Sequence, residues 1–273
     1  MKRILLLMTA MLLASCGGTP SSGDGGSADD SPYTALNPDK AEDLRYIEAV
    51  GSKNSETVYS LAKNKGSFRY DVSEESKYAI DGTGATENSH VNKHHEYVFD
   101  GDNGFYAYET WADGMMETRV ICFGTKSGGV YHYTQIAYGE IGGVGGWQRE
   151  EKDTTSDIGR NYFKLSAYAS YSAFDCMLFA LYSVESEVNY FKNDQHIKVV
   201  VKGEYFDGAG YSKAVMDYTY IADFDGLPVS IDSKVTRYDS EDKATFAFKE
   251  EQVVKASFEY GVDIERKNPD TKA

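Results

Sequence analysis

The histidines are the side chains of this sequence that are best suited to binding a metal ion. The chain contains five: His90, His94, His95, His132 and His196. Neutral imidazole is a common zinc ligand, and His94-His95-Glu96 is the densest group of ligand atoms. Successive side chains of a strand point to opposite faces, so His94 and Glu96 share a face that His95 does not. No second pair lies at a matching spacing. The pattern therefore predicts a surface cluster of polar residues and no metal site.

A second candidate for metal binding is Asp100-Gly101-Asp102-Asn103-Gly104, which has the carboxylates and glycines of a calcium loop. The twelve-residue calcium loop ends in a glutamate, but the residue at that position here is Trp111. Asp, Asn and Gly also supply the backbone angles of hairpin turns. We therefore expect a turn here, and another at Asp223-Phe224-Asp225-Gly226.

Catalytic motifs are absent from the sequence. It has no Gly-x-Ser-x-Gly elbow, no phosphate-binding loop, no His-Glu-x-x-His and no cysteine with an obvious histidine partner. Because 43 of the 273 residues are Asp or Glu, neighbouring carboxylates occur throughout and indicate no particular acid–base pair. We expect a protein that binds rather than catalyses, with no cofactor. So acidic a chain is repelled by phosphate backbones, so nucleic acid is not an expected partner.

Three cysteines are too few for a disulfide-rich scaffold or a four-thiolate zinc site. Cys122 falls on a predicted strand and Cys176 in a predicted apolar helix. Outside the cytoplasm these two could form a disulfide, which would fix the helix to the sheet, although buried free thiols suit the sequence equally well.

The remaining cysteine follows a short hydrophobic segment at the N-terminus. Lys2-Arg3 precedes an apolar run from Ile4 to Leu13, which has the length of a signal peptide and is too short to span a bilayer. The run ends at Leu13-Ala14-Ser15-Cys16, which resembles the lipobox of bacterial lipoproteins. The resemblance implies cleavage before Cys16 and a diacylglyceryl group on its sulfur. The alternatives are an ordinary secretory signal with a chance cysteine, or a buried apolar helix.

Residues 16–36 are rich in Gly, Ser and Asp and have few apolar side chains, which is typical of a flexible tether. Cleavage would reduce the 28 Lys and Arg residues to 26 by removing Lys2 and Arg3, against 43 Asp and Glu. A domain so acidic is repelled by anionic lipid, so the membrane partner would be reached through the acyl chains on Cys16.

Hydrophobic periodicity predicts helices first and strands afterwards. A helix is expected from Asn37-Pro38 to Gly51, and a second from Asn54 or Ser55 to Gly66. From Ser67 the period changes to two, and about ten antiparallel strands follow, each with one apolar and one polar face. Residues 139–147, which include five glycines, predict a loop, and Gln148 to Gly159 a polar continuation of it.

Residues 165–184 interrupt the strands with a run that is apolar on nearly all sides, which is typical of a buried helix. Helical spacing gives this run one stripe that should face the sheet: Tyr171, Phe174, Leu178 and Leu181. The opposing strands would supply Ile197, Val199 and Val201, with Tyr218 and Tyr220 at the mouth. If these surfaces close completely they form only a core, whereas a cavity of several hundred Å³ would be an apolar ligand site.

The order of these elements, together with Asp223-Phe224-Asp225-Gly226-Leu227-Pro228-Val229 opening a late strand, resembles LolA/LppX-like bacterial lipoproteins. The resemblance covers about residues 54–262. It implies an α+β fold in which a curved antiparallel half-barrel carries helices on its concave face, with a cavity for acyl chains. The glycine-rich loop and the polar stretch up to Gly159 depart from that pattern.

The sequence thus predicts four segments: a lipoprotein signal peptide over residues 1–15, a tether over 16–36, one α+β domain over 37–264 and a polar tail over 265–273. The expected function is that of a lipoprotein on the bacterial outer membrane or cell surface, binding a hydrophobic or lipid-like ligand. The alternative is a surface module that binds envelope glycan or a protein partner through exposed aromatics, drawn from the 22 tyrosines and Trp111 or Trp147.

Overall fold

A computed structural model describes residues 32–80, 86–101, 104–141, 144–164, 183–205, 213–239 and 248–268. The helices in these ranges are α1 (Ala41–Gly51), α2 (Ser55–Asn64) and α3 (Ile158–Tyr162). The strands are β1 (Thr34–Ala35), β2 (Ser67–Ile80), β3 (Thr86–Asp100), β4 (Gly104–Ala112), β5 (Met116–Ser127), β6 (Val130–Ile141), β7 (Val144–Thr154), β8 (Ser183–Lys192), β9 (Ile197–Tyr205), β10 (Lys213–Ala222), β11 (Pro228–Tyr238) and β12 (Phe248–Tyr260).

These strands form one antiparallel sheet in the order β1-β8-β9-β10-β11-β12-β2-β3-β4-β5-β6-β7. Two meanders, β2 to β7 and β8 to β12, are joined where β12 pairs along β2 from Phe248 opposite Ile80 to Tyr260 opposite Phe68. The sheet is open and curved, with β1 and β7 at its edges. The predicted antiparallel fold is confirmed, although the described strands number twelve rather than about ten.

The loop predicted over residues 139–147 is wrong. The described residues of this segment belong to the β6–β7 hairpin. Its pairing runs from Tyr131 opposite Thr154 to Ile141 opposite Val144. Backbone pairing needs no side chain, and a glycine is useful where another group approaches closely. A Cβ on Gly145 would lie 2.5 Å from the Tyr138 hydroxyl, so the glycine leaves room for that ring.

The first helix begins later than predicted. The Asn37 side chain accepts a hydrogen bond from the Asp39 N–H at 2.9 Å, which makes a turn rather than a helix cap. Helix α1 starts at Ala41. The second prediction is confirmed: Asn54 caps α2 by accepting the Thr57 N–H at 3.0 Å, and Gly66 follows the helix with a φ of +83°.

The helices and a cluster of aromatic rings cover one face of the sheet, which we call the core face. Helix α2 packs on β2, and α3 on β3 and β4. Phe163, directly after α3, is fully buried, and its ring centroid lies 4.8 Å from that of Phe68 and 5.9 Å from that of Tyr59. Asp157 fixes the start of α3 by accepting the Arg160 N–H at 3.1 Å and the Tyr59 hydroxyl at 2.8 Å.

The opposite face of the sheet, which we call the outer face, carries a smaller apolar cluster. Tyr106, Ile121 and Ile136 are buried there beneath Ile264. The chain beyond β12 is held in place because the Lys267 N–H donates to the Tyr106 hydroxyl at 2.8 Å.

Three sequence predictions lie wholly or largely outside the described residues. They are the signal peptide with Cys16, the flexible tether over most of its length, and the apolar helix predicted over residues 165–184. Of that predicted helix only residues 183 and 184 are described, and they belong to β8 instead. None of the described helices combines the length and apolar character needed to cross a bilayer.

Phe163→Ala should lower the free energy of unfolding by about 3–5 kcal/mol, because it removes a ring enclosed by other rings. Phe224→Ala is the matched control: Phe224 is 41% exposed in the β10–β11 turn, and its loss should cost about 1 kcal/mol or less. Urea unfolding followed by circular dichroism measures both values. Equal losses would contradict the central place given to Phe163.

Candidate ligand-binding face

The five sheet residues predicted to contact a ligand lie together on the core face. Ile197, Val199 and Val201 alternate along β9, and Tyr218 and Tyr220 along β10. Tyr218 lies opposite Val201, and Tyr220 opposite Val199. All five side chains are at most 1% exposed. The two-residue period therefore placed these side chains on one surface, as the sequence predicts.

This surface continues over the neighbouring strands. We call it the apolar face, and its members are Val188, Tyr190, Ile197, Val199, Val201, Met216, Tyr218, Tyr220, Ile231, Val235, Val254 and Ala256. It extends from β8 to β12, whereas α2 and α3 pack on β2 to β4. Helix α1 reaches the β10–β11 turn, where a Cβ on Gly226 would lie 2.6 Å from the Ala49 carbonyl oxygen.

The two tyrosines of β10 are buried rather than placed at an opening. The Tyr220 hydroxyl donates to the Gly226 carbonyl at 3.0 Å, so it closes the β10–β11 turn instead of facing a ligand. The rings of Tyr218 and Tyr220 are stacked with their centroids 6.4 Å apart. Burial also raises the pKa of Tyr190, which lies on the same face in β8, well above its ordinary value, as expected of a phenol in apolar surroundings.

The helical half of the predicted site lies outside the described residues. Tyr171, Phe174, Leu178 and Leu181 belong to it, and so does Cys176. Cys122 is buried on the core face of β5, and burial raises the pKa of its thiol to about 12. A thiol that stays protonated at neutral pH is a poor nucleophile. A disulfide between Cys122 and Cys176 stays a prediction.

Sequence reasoning missed a row of buried polar side chains on the core face. Arg237 of β11 lies opposite Glu250 of β12, and an Nη–Oε2 distance of 3.1 Å joins them. Two residues further along β12, and nearer the apolar face, the Gln252 Nε2 donates a hydrogen bond to Glu74 Oε1 at 2.5 Å. The signal was present, because residue 237 has the same parity as Ile231 and Val235, and a charge at that position marks a polar group inside the core.

The second oxygen of Glu74 accepts a hydrogen bond from the Lys93 Nζ at 3.1 Å. The row therefore extends from a partly exposed lysine on β3 towards the buried apolar face. The Gln252 Oε1 is buried and has no hydrogen-bond partner among the described residues. A buried acceptor without a donor is unfavourable, so this atom could accept a hydrogen bond from a bound molecule.

The histidine pair divides between the two faces of the sheet. On the outer face, the His94 Nδ1 lies 2.7 Å from Asp71 Oδ1, and its Nε2 lies 3.3 Å from Glu96 Oε1. On the core face, His95 stacks on Tyr70 with centroids 4.3 Å apart, and its Nδ1 lies 3.3 Å from Glu109.

The prediction of a surface cluster is therefore wrong for two of its three residues, because His95 and Glu96 are buried. Register pairing across β2, β3 and β4, which the local sequence does not reveal, brings their partners to them. No group of three or more side chains in the described ranges has the arrangement of a metal site.

The carboxylates around His94 keep its imidazole positively charged at neutral pH. The hydrogen bond to Asp71, followed by that to Glu96, raises the pKa of His94 to about 9, and the same contact lowers the pKa of Asp71. A protonated imidazole cannot act as a general base at neutral pH. A groove of about 510 Å³ lies beside it, and the polar side chains that line it on the outer face include Asp71, Asn92, Thr110 and Lys255.

A different part of the sheet exposes apolar side chains. The connections β4–β5 and β6–β7 lie at one end, because Met116 is paired with Ile141 and Ile141 with Val144. Met115 and Val144 are each about four-fifths exposed, and Ile141 about two-thirds. We call Met115, Ile141, Val144 and Trp147 the apolar end. Trp147 packs on Tyr138 with their ring centroids 5.0 Å apart.

Comparisons with known proteins yield no family. No family model and no curated protein matches the chain. A DUF1329 family protein from Desulfovibrio piger is 10% identical over 77% of this chain and 95% of its own, with a TM-score of 0.22. A Vibrio parahaemolyticus domain described as an outer membrane lipoprotein-sorting protein is 8% identical over 80% and 97%, with a TM-score of 0.20. Neisserial surface protein A is 7% identical over 71% and 96%, with a TM-score of 0.17. Similarity this low establishes neither ancestry nor function.

The stability of the fold should depend on pH through His94. Its pKa of about 9 in the folded chain exceeds the ordinary value of about 6.5, so protonation favours the fold. This contribution is complete below about pH 6.5 and is lost as the pH rises to about 9. NMR titration of the imidazole should give a midpoint near 9, and Asp71→Asn should lower that midpoint. A midpoint near 6.5 in the unaltered protein would contradict the assigned contacts.

Proposed function

We propose that this protein is a membrane-anchored extracytoplasmic lipoprotein that binds a hydrophobic or lipid-like ligand and catalyses no reaction. One observation carries the proposal: the apolar face runs across five neighbouring strands, β8 to β12, beyond the strands on which α2 and α3 pack. An apolar surface of this size would be unfavourable in water, and its central side chains are at most 1% exposed, so the face is covered. A ligand would lie between the face and its cover.

The segment predicted as a helix over residues 165–184 is our candidate for the cover. Its stripe of Tyr171, Phe174, Leu178 and Leu181 supplies apolar side chains that match those of β9 and β10. A ligand held between this stripe and Val199, Val201 and Tyr218 would be enclosed by hydrocarbon and aromatic surface. Most small-molecule pockets are of this kind, with a few polar groups that orient the ligand.

The polar row beside the apolar face suggests the form of such a ligand. Arg237 and Glu250 already pair with each other, whereas the Gln252 Oε1 is a buried acceptor without a donor among the residues that the structure describes. An apolar chain would suit the residues from β8 to β12, and a head group with a hydroxyl or amide donor would suit Gln252. We therefore favour a lipid-like molecule over a pure hydrocarbon.

The proposed location follows from the N-terminal sequence. Leu13-Ala14-Ser15-Cys16 resembles a lipobox, and two or more acyl chains such as palmitate hold a protein stably at a membrane. The segment up to Ser31 is long enough to keep the domain clear of the head groups. We propose the outer membrane or the cell surface as the site of attachment.

A surface-binding module is the second candidate, and the apolar end favours it. Met115, Ile141, Val144 and Trp147 expose apolar area at one end of the sheet, as binding surfaces for protein partners or glycans do. Trp111 is less suited to such a platform, because it lies on the core face opposite Lys93.

Cys16→Ala should move the protein from the membrane fraction to a soluble or uncleaved pool, because the acylated sulfur is removed. Fractionation of the host cells followed by immunoblotting measures the distribution. Cys122→Ala is the matched control and should leave the protein in the membrane fraction. Membrane retention of a cleaved Cys16→Ala protein would contradict the anchor.

The unlipidated domain should bind a fluorescent fatty acid, and Leu178→Trp should reduce that binding at least tenfold by filling the site. Val144→Trp, which adds the same ring at an exposed position, should leave binding unchanged. Cooperative urea unfolding of both variants excludes misfolding as the cause. Failure of the unaltered domain to bind any acyl probe would favour the surface-binding module instead.

A further inference from the structure

Strand β7 is an uncovered edge of the sheet. Among the described strands only β6 pairs with it, and every residue from Val144 to Glu151 is exposed. An edge strand presents a row of backbone N–H and C=O groups that another strand can extend. Proteins usually shorten or bulge such edges, block them with proline or place charged side chains on them. Strand β7 has eleven residues with no bulge in its pairing and no proline.

Its sequence is a mixture of both charges in a short run. Arg149, Glu150, Glu151, Lys152 and Asp153 follow one another. Their present partners lie on the same strand or on β6: Lys152 is 2.7 Å from Glu150, Arg149 is 3.5 Å from Glu151, and His132 is 2.8 Å from Asp153. Ion pairs this exposed are weak, so they can be exchanged for others at little cost.

A second copy of this strand is restricted to few registers by symmetry. Neighbouring residue pairs of an antiparallel ladder alternate between hydrogen-bonded and non-hydrogen-bonded types. A twofold axis must therefore pass through a pair formed by one residue and its own copy. Self-pairing of β7 can accordingly be centred on a residue but not between two residues, and the centres within the charged run are residues 149 to 153.

Charge selects one of these registers. Centred on Glu151, the pairing sets Arg149 opposite Asp153 and Glu150 opposite Lys152, and each pair occurs twice. The only like-charged pair is Glu151 with its own copy. Centring on Arg149, Lys152 or Asp153 places like charges together without any opposite-charge pair within β7. Centring on Glu150 gives only the Arg149–Glu151 pair, twice. Directly opposed opposite charges stabilise a strand pair, and like charges destabilise it.

We propose that the protein forms a symmetric homodimer in which β7 pairs antiparallel with β7 of a second copy, with Glu151 opposite its own copy. The two sheets then form one continuous sheet, and the exposed edge disappears from both chains. Opposed side chains stay on the same face, because residues 149, 151 and 153 point to one side and residues 150 and 152 to the other. This dimer does not depend on the proposed ligand or the anchor.

Cysteine crosslinking tests the register in the full chain purified in detergent. Paired residues on adjacent antiparallel strands have Cα atoms about 4.5–5.5 Å apart, which a disulfide can bridge. Glu151→Cys should therefore give a crosslinked dimer under mild oxidation. Glu150→Cys is the matched control: it would lie about 8 Å from its own copy and should not crosslink. Crosslinking at 150 and not at 151, or at neither position, would overturn the proposed register.

Charge reversal tests the dimer itself, with sedimentation velocity as the readout. Glu150→Lys places lysines opposite each other twice and should weaken dimerisation at least tenfold. The double variant Glu150→Lys with Lys152→Glu restores both pairs and should restore the dimer. A protein that is monomeric at about 100 µM, or a double variant that dimerises no better than Glu150→Lys alone, would overturn the proposal. Circular dichroism checks that all variants are folded.

Discussion

An open antiparallel sheet can leave one face in water, but the other face must be covered by the rest of the chain. In this protein that requirement falls on the core face. Near β2 to β4 it is met by α2, α3 and the fully buried ring of Phe163, which packs against rings from β2 and from α2. The position of these helices leaves the surface from β8 to β12 as a distinct region, and the proposed ligand site follows from that division.

The polar row within the core face gives this region its chemical character. Burying Arg237 with Glu250 removes two charges from water, and replacing such a pair by apolar side chains often costs nothing in stability. The presence of this pair is therefore weak evidence that Arg237 and Glu250 serve only to stabilise the fold. Gln252 links the row to Glu74 and Lys93, so polar contacts continue from solvent to the edge of the apolar face. A ligand with one polar end would have a place for each part.

Side-chain alternation predicted much of the sheet, because strands with one wet and one buried face carry that pattern in their own sequence. The grouping of Val199 and Val201 with Tyr218 and Tyr220 was predictable for this reason. The β6–β7 hairpin was not, since its glycines have no side chains to alternate, and its pairing depends on the backbone of β6. The environment of His95 depends on Tyr70 and Glu109, which reach it only through the register of three strands.

The edges of the sheet raise a separate physical question. Strand β1 covers only two residues of β8, and β7 is exposed along most of its length. A long exposed edge is an aggregation hazard unless it is protected or paired. The mixed charges of β7 bear on both protection and pairing, since they disfavour most registers with a second β7 strand and permit one. The charges of β7 thus limit the register in which a second copy could pair with it.

The most direct test of the account is what the core face holds when the protein is purified. Organic extraction of the folded, unlipidated domain, followed by mass spectrometry, identifies any retained molecule and its amount. A ligand site on the apolar face predicts an acyl-chain lipid at about one molecule per chain, which is lost when the domain is unfolded before washing. An extract without lipid, from a domain that also takes up none when lipid is supplied, would contradict a ligand site on the apolar face.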